Sequence, residues 1–186
     1  MKGKTVVITG GTSGIGEVAA EALAQMGARI ILVARNRSRA DATLARLRRR
    51  GPGAAHSTYF ADLTRLAEMK RVAAEIAIRE PPIDILINNA GALFGNRRLT
   101  KDGLEYTLAL NHMSYFVVTE GLRERLLASG GARIINTASQ RIRASLWIST
   151  IFNPRRASEP RGPMVAQSSA TSCLRASLLG ACRAPA

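Results

Sequence analysis

The chain has 186 residues, 46% of them hydrophobic, which suits one domain with a sizeable core and excludes a disordered chain. The formal net charge is +14, but aromatic residues are only 4%, so the charge lacks the base-stacking surfaces of a nucleic-acid binder. No apolar run approaches the roughly 18 residues of a membrane span, and Cys173 and Cys182 fit neither a disulfide framework nor a zinc site.

The opening "MKGKTVVITGG" carries two lysines but reaches glycine after about five apolar residues, too few for a signal core. A cytoplasmic protein is the expectation. His56 and His112 are isolated from each other and from cysteine, so no metal is expected. Residues 141–186 hold seven arginines against one glutamate, six of the fourteen net charges. "RLRRR" at 46–50 precedes Gly51 and reads as a helix end whose cations offset the macrodipole. Nucleic acid is therefore not the expected partner, and a basic nucleic-acid binder is the weakest of three functional readings.

In chain order, "TVVIT" (5–9), "RIILVA" (29–34), "STYFA" (57–61), "IDILIN" (83–88) and "RIINTA" (133–138) predict strands. Between them, helical patterns run near 14–26, 38–50, 64–79 and 103–128, punctuated by Gly27, Gly51, Pro81-Pro82 and Gly130-Gly131. Apolar strands separated by helices predict an α/β fold, a doubly wound parallel sheet covered on both faces. Residues 1–140 form the predicted domain. Residues 141–186, rich in Arg, Ser, Ala and Pro, keep neither period and predict a disordered or poorly packed tail.

"ITGGTSGIG" (8–16) follows the first strand and opens the first helix, where backbone N–H groups and the helix dipole favour a pyrophosphate. "ADL" (61–63) ends the third strand, "NNAG" (88–91) ends the fourth, and "LNHMSYF" (110–116) precedes the fifth. With these segments in this order the chain resembles the short-chain dehydrogenase/reductase family through Ser139. "VARN" (33–36) and "LNHMSYF" are most similar to its retinol-dehydrogenase-like branch. The resemblance implies a Rossmann-type fold of which five strands are recognisable. It also implies that Gly10, Thr12, Ser13, Gly14, Ile15 and Gly16 hold the cofactor phosphates. Asp62 would bond the adenine amino group, with Leu63 beside it. Asn89, Ala90 and Gly91 would line the adenosine side. Asn111 would support a proton-relay water, and Ser139 would donate to the substrate oxygen.

Relatives that prefer NAD carry a carboxylate near the end of the second strand. Here Ala34 stands in that place, followed by Arg35, Asn36, Arg37 and Arg39. An arginine there can pair with a 2′-phosphate, which points to NADP(H). The family's chemistry is hydride transfer between a small-molecule alcohol and the corresponding carbonyl. Its proton comes from a tyrosine whose acidity is raised by a lysine four residues later. Relatives often form homo-oligomers through the helix containing Asn111 and the helix bearing that pair.

This chain has no such pair. Its last tyrosine is Tyr115 and its last lysine Lys101, both before Ser139. As written it is expected to be inactive, a catalytically dead nucleotide-binding or interaction protein. The codons of the tail offer an explanation. Read one nucleotide earlier, Trp147 (TGG) and Ile148 (AT-) force aspartate, and residues 146–153 permit L-D-F-D-D-L-Q. Met164 (ATG) and Val165 (GT-) force glycine, and residues 163–168 permit Y-G-R-S-K. That reading has the family's Tyr-x-x-x-Lys spacing. The expectation is one base lost just after the Gln140 codon; the alternative is an unrelated tail from splicing or divergence. Without the missing strands, the fifth should be an exposed edge and the domain marginally stable.

Overall fold

A computed structural model describes residues 1–138. Five strands, β1 (Thr5–Thr9), β2 (Arg29–Ala34), β3 (Ser57–Phe60), β4 (Ile85–Asn88) and β5 (Arg133–Asn136), form one sheet in the order β3-β2-β1-β4-β5. Every pair is parallel, with Val7 opposite Ile31 on one side and Leu86 on the other. The expected Rossmann-type parallel sheet is therefore present. Among the described residues β5 pairs only with β4, and its Ile135 is 48% exposed.

The sheet is buried on both faces because its central strands carry consecutive apolar residues, 6–8 in β1 and 30–34 in β2. Side chains alternate across a strand, so Val6 and Ile8 point to one side of β1 and Val7 to the other. The first face packs on α1 (Gly14–Gln25) and α2 (Arg37–Arg50) through Ala20, Ala24 and Leu47. The opposite face packs on α3 (Leu66–Arg79) through Met69, Val72 and Ile76, and on α5 (Ser114–Gly121) through Val118. Each fully buried Ile, Leu or Val contributes about 1.5–3 kcal/mol. The part-exposed ion pairs joining Arg46 of α2 to Glu17 and Glu21 of α1 add only about 0–1 kcal/mol each. Packing fixes this layer; the charges decorate it.

Two glycines permit close approach. A Cβ on Gly121 would lie 2.6 Å from the Ala73 Cβ, so glycine lets α5 settle onto α3. Gly51 ends α2 as expected, its N–H donating to Leu47 O at 2.8 Å. Its φ of −133° is not left-handed, however. Glycine is needed there because a Cβ would lie 2.5 Å from the Ala24 carbonyl oxygen of α1.

The helix expected over 103–128 is divided. A short α4 (Tyr106–Leu108) leads into a π-helical segment (Ala109–Met113), then α5, and then α6 (Arg123–Leu127) after Leu122 turns out of helical geometry. Apolar periodicity does not register one extra residue in a turn, so the sequence reads as continuous helix.

His56, 7% exposed, accepts from the Ile30 N–H through Nδ1 at 3.0 Å, and its Nε2 lies 3.3 Å from Gly51 O. Burial depresses its pKa below 6.5; Arg48 and Arg29 add to this, against the Gly51 and Leu47 carbonyls. The folded value lies below the unfolded one, so the stabilisation is complete above about pH 6.5 and fades as pH falls through the folded pKa. Thermal melts of the native chain should show a midpoint that drops with acidification over that window. The drop should be smaller in His56→Gln, and parallel curves would refute the assignment.

Candidate functional site

All strands are parallel, so their C-terminal ends and the turns that follow share one edge of the sheet. The chain runs from β1 outward to β2 and β3, then returns to β4 on the other side of β1. The β1/β4 junction is thus a switch point, where ligands of open α/β sheets bind.

The turn 10–13 leaves β1 at that junction. Gly10 has φ +69°, and a Cβ there would lie 2.7 Å from the Ala90 Cα. Gly14, φ +55°, is the first residue of α1. Ser13 is the N-cap, but its side chain makes no capping bond. The opening N–H groups of α1 are consequently free for an external acceptor. Gly14 and Ser13 are exposed, Thr12 is half-buried, and Ile15 is 78% exposed. Gly16 is buried, with the Asn89 amide and the Gly10 carbonyl crowding its α-carbon.

Asn89 braces this turn from β4. Its Nδ2 donates to Gly10 O at 3.2 Å and Thr9 O at 3.3 Å. Thr9, 1% exposed, accepts the N–H groups of Asn89 and Ala90 through Oγ1 at 3.0 and 3.1 Å. The sequence reading gave Thr9 no role; a threonine ending an otherwise apolar strand was the available signal. Thr9→Val keeps the shape and removes the acceptor. It should cost about 1–3 kcal/mol, read as a lower midpoint in urea unfolding, and an unchanged midpoint would sink the assignment.

At the other expected positions the side chains have varied partners. Arg35 is exposed directly after β2. Asn36 caps α2, its Oδ1 accepting from Arg39 N at 2.9 Å. The Arg37 guanidinium stacks 4.2 Å from the centroid of the Phe60 ring, at the end of β3. Asp62 accepts from Thr64 N and Oγ1 through Oδ1 alone, at 3.1 and 2.8 Å. The Leu63 side chain belongs to the core.

Asn111 lies inside the π-helical segment. Its side chain pairs with the backbone of one residue, accepting from Ala92 N at 2.9 Å and donating to Ala92 O at 3.0 Å. Gly91 sits against it: a Cβ there would be 3.4 Å from Asn111 Oδ1. Asn88, fully buried, donates to Thr119 Oγ1 and Asn136 Oδ1, tying β4 to α5 and β5. Thr137 N then donates to Asn88 O at 2.9 Å. The structure thus gathers the expected residues from Gly10 to Asn111 along one sheet edge. Ser139, and the segment whose reading frame is in question, lie outside the described residues.

Comparison with known proteins gives a consistent picture. The profile of the family described as short chain dehydrogenase matches residues 4–147. A Streptomyces sp. (strain C5) protein named for daunorubicin C-13 ketoreduction, DnrU, is 41% identical over 139 residues, 75% of this chain and 47% of its own length. Retinol dehydrogenase 13 of Homo sapiens is 37% identical over 137 residues, 74% of this chain and 41% of its own. Among solved structures, a short-chain dehydrogenase from Sphingobium yanoikuyae in complex with NADPH superposes with a TM-score of 0.64 at 37% identity. That match covers 74% of this chain and 54% of the other. The chain therefore spans about half the length of the relatives it matches. Among the described residues no helix is long and apolar enough to cross a membrane.

Proposed function

Because the chain belongs to the short-chain dehydrogenase family, and resembles its retinol-dehydrogenase-like members, we propose that residues 1–140 are the NADP(H)-binding part of an oxidoreductase interconverting an alcohol and a carbonyl. The supporting observation is the turn from Gly10 to Gly16 at the β1/β4 switch point, braced by Thr9 and Asn89, with unbonded N–H groups opening α1. That geometry fits a pyrophosphate. The second oxygen of Asp62 has no partner among the described residues and suits an adenine amino group. Arg35 is exposed directly after Ala34, which stands where a carboxylate would favour NAD, and suits a 2′-phosphate.

When bound, the nicotinamide supplies or accepts the hydride. The chain's own residues orient it. The glycine turn meets the phosphates, and Asn89 to Gly91 line the adenosine side. Asn111 contributes through the π-helical turn, and Ser139 would donate to the substrate oxygen. The proton donor is the part that the recorded sequence lacks after Ser139. The chain as written therefore binds the cofactor without turning over substrate, while the frame-corrected chain carries the activity.

NADPH fluorescence titration tests this directly. The native chain should bind NADPH at least about tenfold more tightly than NADH, a difference of roughly 1.4 kcal/mol. Arg35→Asp should narrow or reverse that preference. Absence of any NADPH signal would end the reading. A duplex-DNA affinity that falls steeply with salt would favour the nucleic-acid alternative instead.

A further inference from the structure

The segment from Gly91 to Glu105 joins β4 to α4 and is tied down at both ends. At one end Ala92 pairs with the Asn111 side chain. At the other, residues 98–106 fold back on themselves: Tyr106 N donates to Arg98 O at 3.0 Å, and Thr100 N donates to Leu104 O at 2.7 Å. Gly103 makes the bend with φ +75°, its N–H donating to Thr100 O at 3.1 Å. Thr100, 8% exposed, accepts the Asp102 and Leu104 N–H groups through its hydroxyl. Phe94 and Arg98 both contact the Tyr106 ring, with centroid distances of 5.4 and 5.1 Å. The segment is thus a strap held at its two ends.

Its bend presents Asp102 to another helix. Asp102 Oδ2 accepts the Leu66 N–H at 2.9 Å, and Leu66 is the first residue of α3. The local N-cap residue, Arg65, supplies no side-chain bond, so a residue 36 positions away does its work. The same turn starts at Asp62, whose carbonyl accepts Arg65 N at 3.0 Å and whose Oδ1 accepts from Thr64. Asp102 thus joins the turn carrying Asp62 to a strap whose far end is held by Asn111.

We propose that Asp102 is a positioning residue that couples the adenine end of the site to the strap beside Asn111, so that occupancy of one orders the other. This rests on the cofactor reading above and deepens it. A ligand bonding Asp62 restrains the turn, the turn fixes the Leu66 N–H, and Asp102 carries the restraint into residues 91–105. Coupling of this kind operates through ordering and needs no displacement.

Hydrogen exchange on the full chain tests it, with adenosine 2′,5′-bisphosphate as the probe because it reaches only the adenosine half. In the native chain the probe should slow exchange across 92–99 about tenfold, a typical coupling between sites. Asp102→Ala should still bind the probe but lose that slowing, with exchange in β1 unchanged. Asp102→Asn keeps an acceptor oxygen and should retain it. Leu66→Pro removes the donor together with the leucine side chain packed against the core, at the first helical position where proline is tolerated, after a residue already extended at φ −114° and ψ 123°. It should behave like Asp102→Ala, and it decides the matter if that variant does not fold. Slowing that persists in Leu66→Pro, or is absent in the native chain when the probe binds, overturns the coupling. Failure of the probe to bind at all overturns the cofactor reading itself.

Discussion

Insertion of one base after the Gln140 codon should turn a cofactor-binding chain without activity into a working enzyme. The recorded chain has no tyrosine after Tyr115 and no lysine after Lys101. Hydride transfer to a carbonyl leaves an oxygen that must be protonated as it forms. A positioned acid is worth about 10²–10⁴ in rate. Neither Arg155 nor Arg156 can take its place, because a guanidinium does not release a proton near neutral pH. The shifted codon across Pro163 and Met164 permits a tyrosine, and the codon four later permits a lysine. The comparison is NADPH consumption against a panel of lipophilic aldehydes and ketones by both chains. The repaired chain should exceed the recorded one by at least about a hundredfold. Equal background rates, with NADPH bound by both, would remove the frame slip as the explanation.

Gly16→Ala should weaken cofactor binding by roughly 30-fold or more. Its new methyl would lie 2.5 Å from the Gly10 carbonyl oxygen and 3.1 Å from Asn89 Cγ, with the Asn89 amide nitrogen closer still. The carbonyl belongs to the turn and cannot swing aside as a side chain would. Asn89 is also the brace holding Thr9 and Gly10. Overpacking of this kind costs about 1–3 kcal/mol, and here the strain falls on the N–H groups meant for the phosphates. An affinity loss of roughly 30-fold or more follows if about 2 kcal/mol of it is felt on binding. Gly53→Ala is the control: nothing lies within 4 Å of its built Cβ, and it should stay within about 0.5 kcal/mol of native stability. NADPH titration and urea unfolding of both variants check the pair. Native-like affinity in Gly16→Ala would refute the role of the turn.

The strands were legible because β1 and β2 are apolar at consecutive positions, as a strand buried on both faces must be. Their observed limits, Thr5–Thr9 and Arg29–Ala34, coincide with the apolar runs. β3 and β5 end one and two residues sooner than their β-rich runs, and β4 starts two residues later than its run. Ala61, Thr137 and Ala138 satisfy the pattern but lie beyond the strand ends. The glycines of the first turn were legible for the same kind of reason, since a tight turn at a strand end leaves few other residues possible.

Other features required positions far apart in the chain to meet. Thr9 carries two N–H groups from β4, and Asp102 caps a helix that begins 36 residues earlier. Asn36 and Asn111 were expected to serve the cofactor and the proton relay. The Asn36 amide also caps α2 at ordinary N-cap spacing, whereas Asn111 pairs with Ala92, 19 residues earlier, a partner no spacing rule names in advance. The sequence by itself determined the alternation of elements, the glycine turn and the family, since each is carried by residues local in the chain. Only the tertiary structure decided which glycines are there for close packing, where the long helix breaks, and how the turn at Asp62 is joined to Asn111. Those depend on the separation and direction of backbones brought together by burial, which local patterning does not encode.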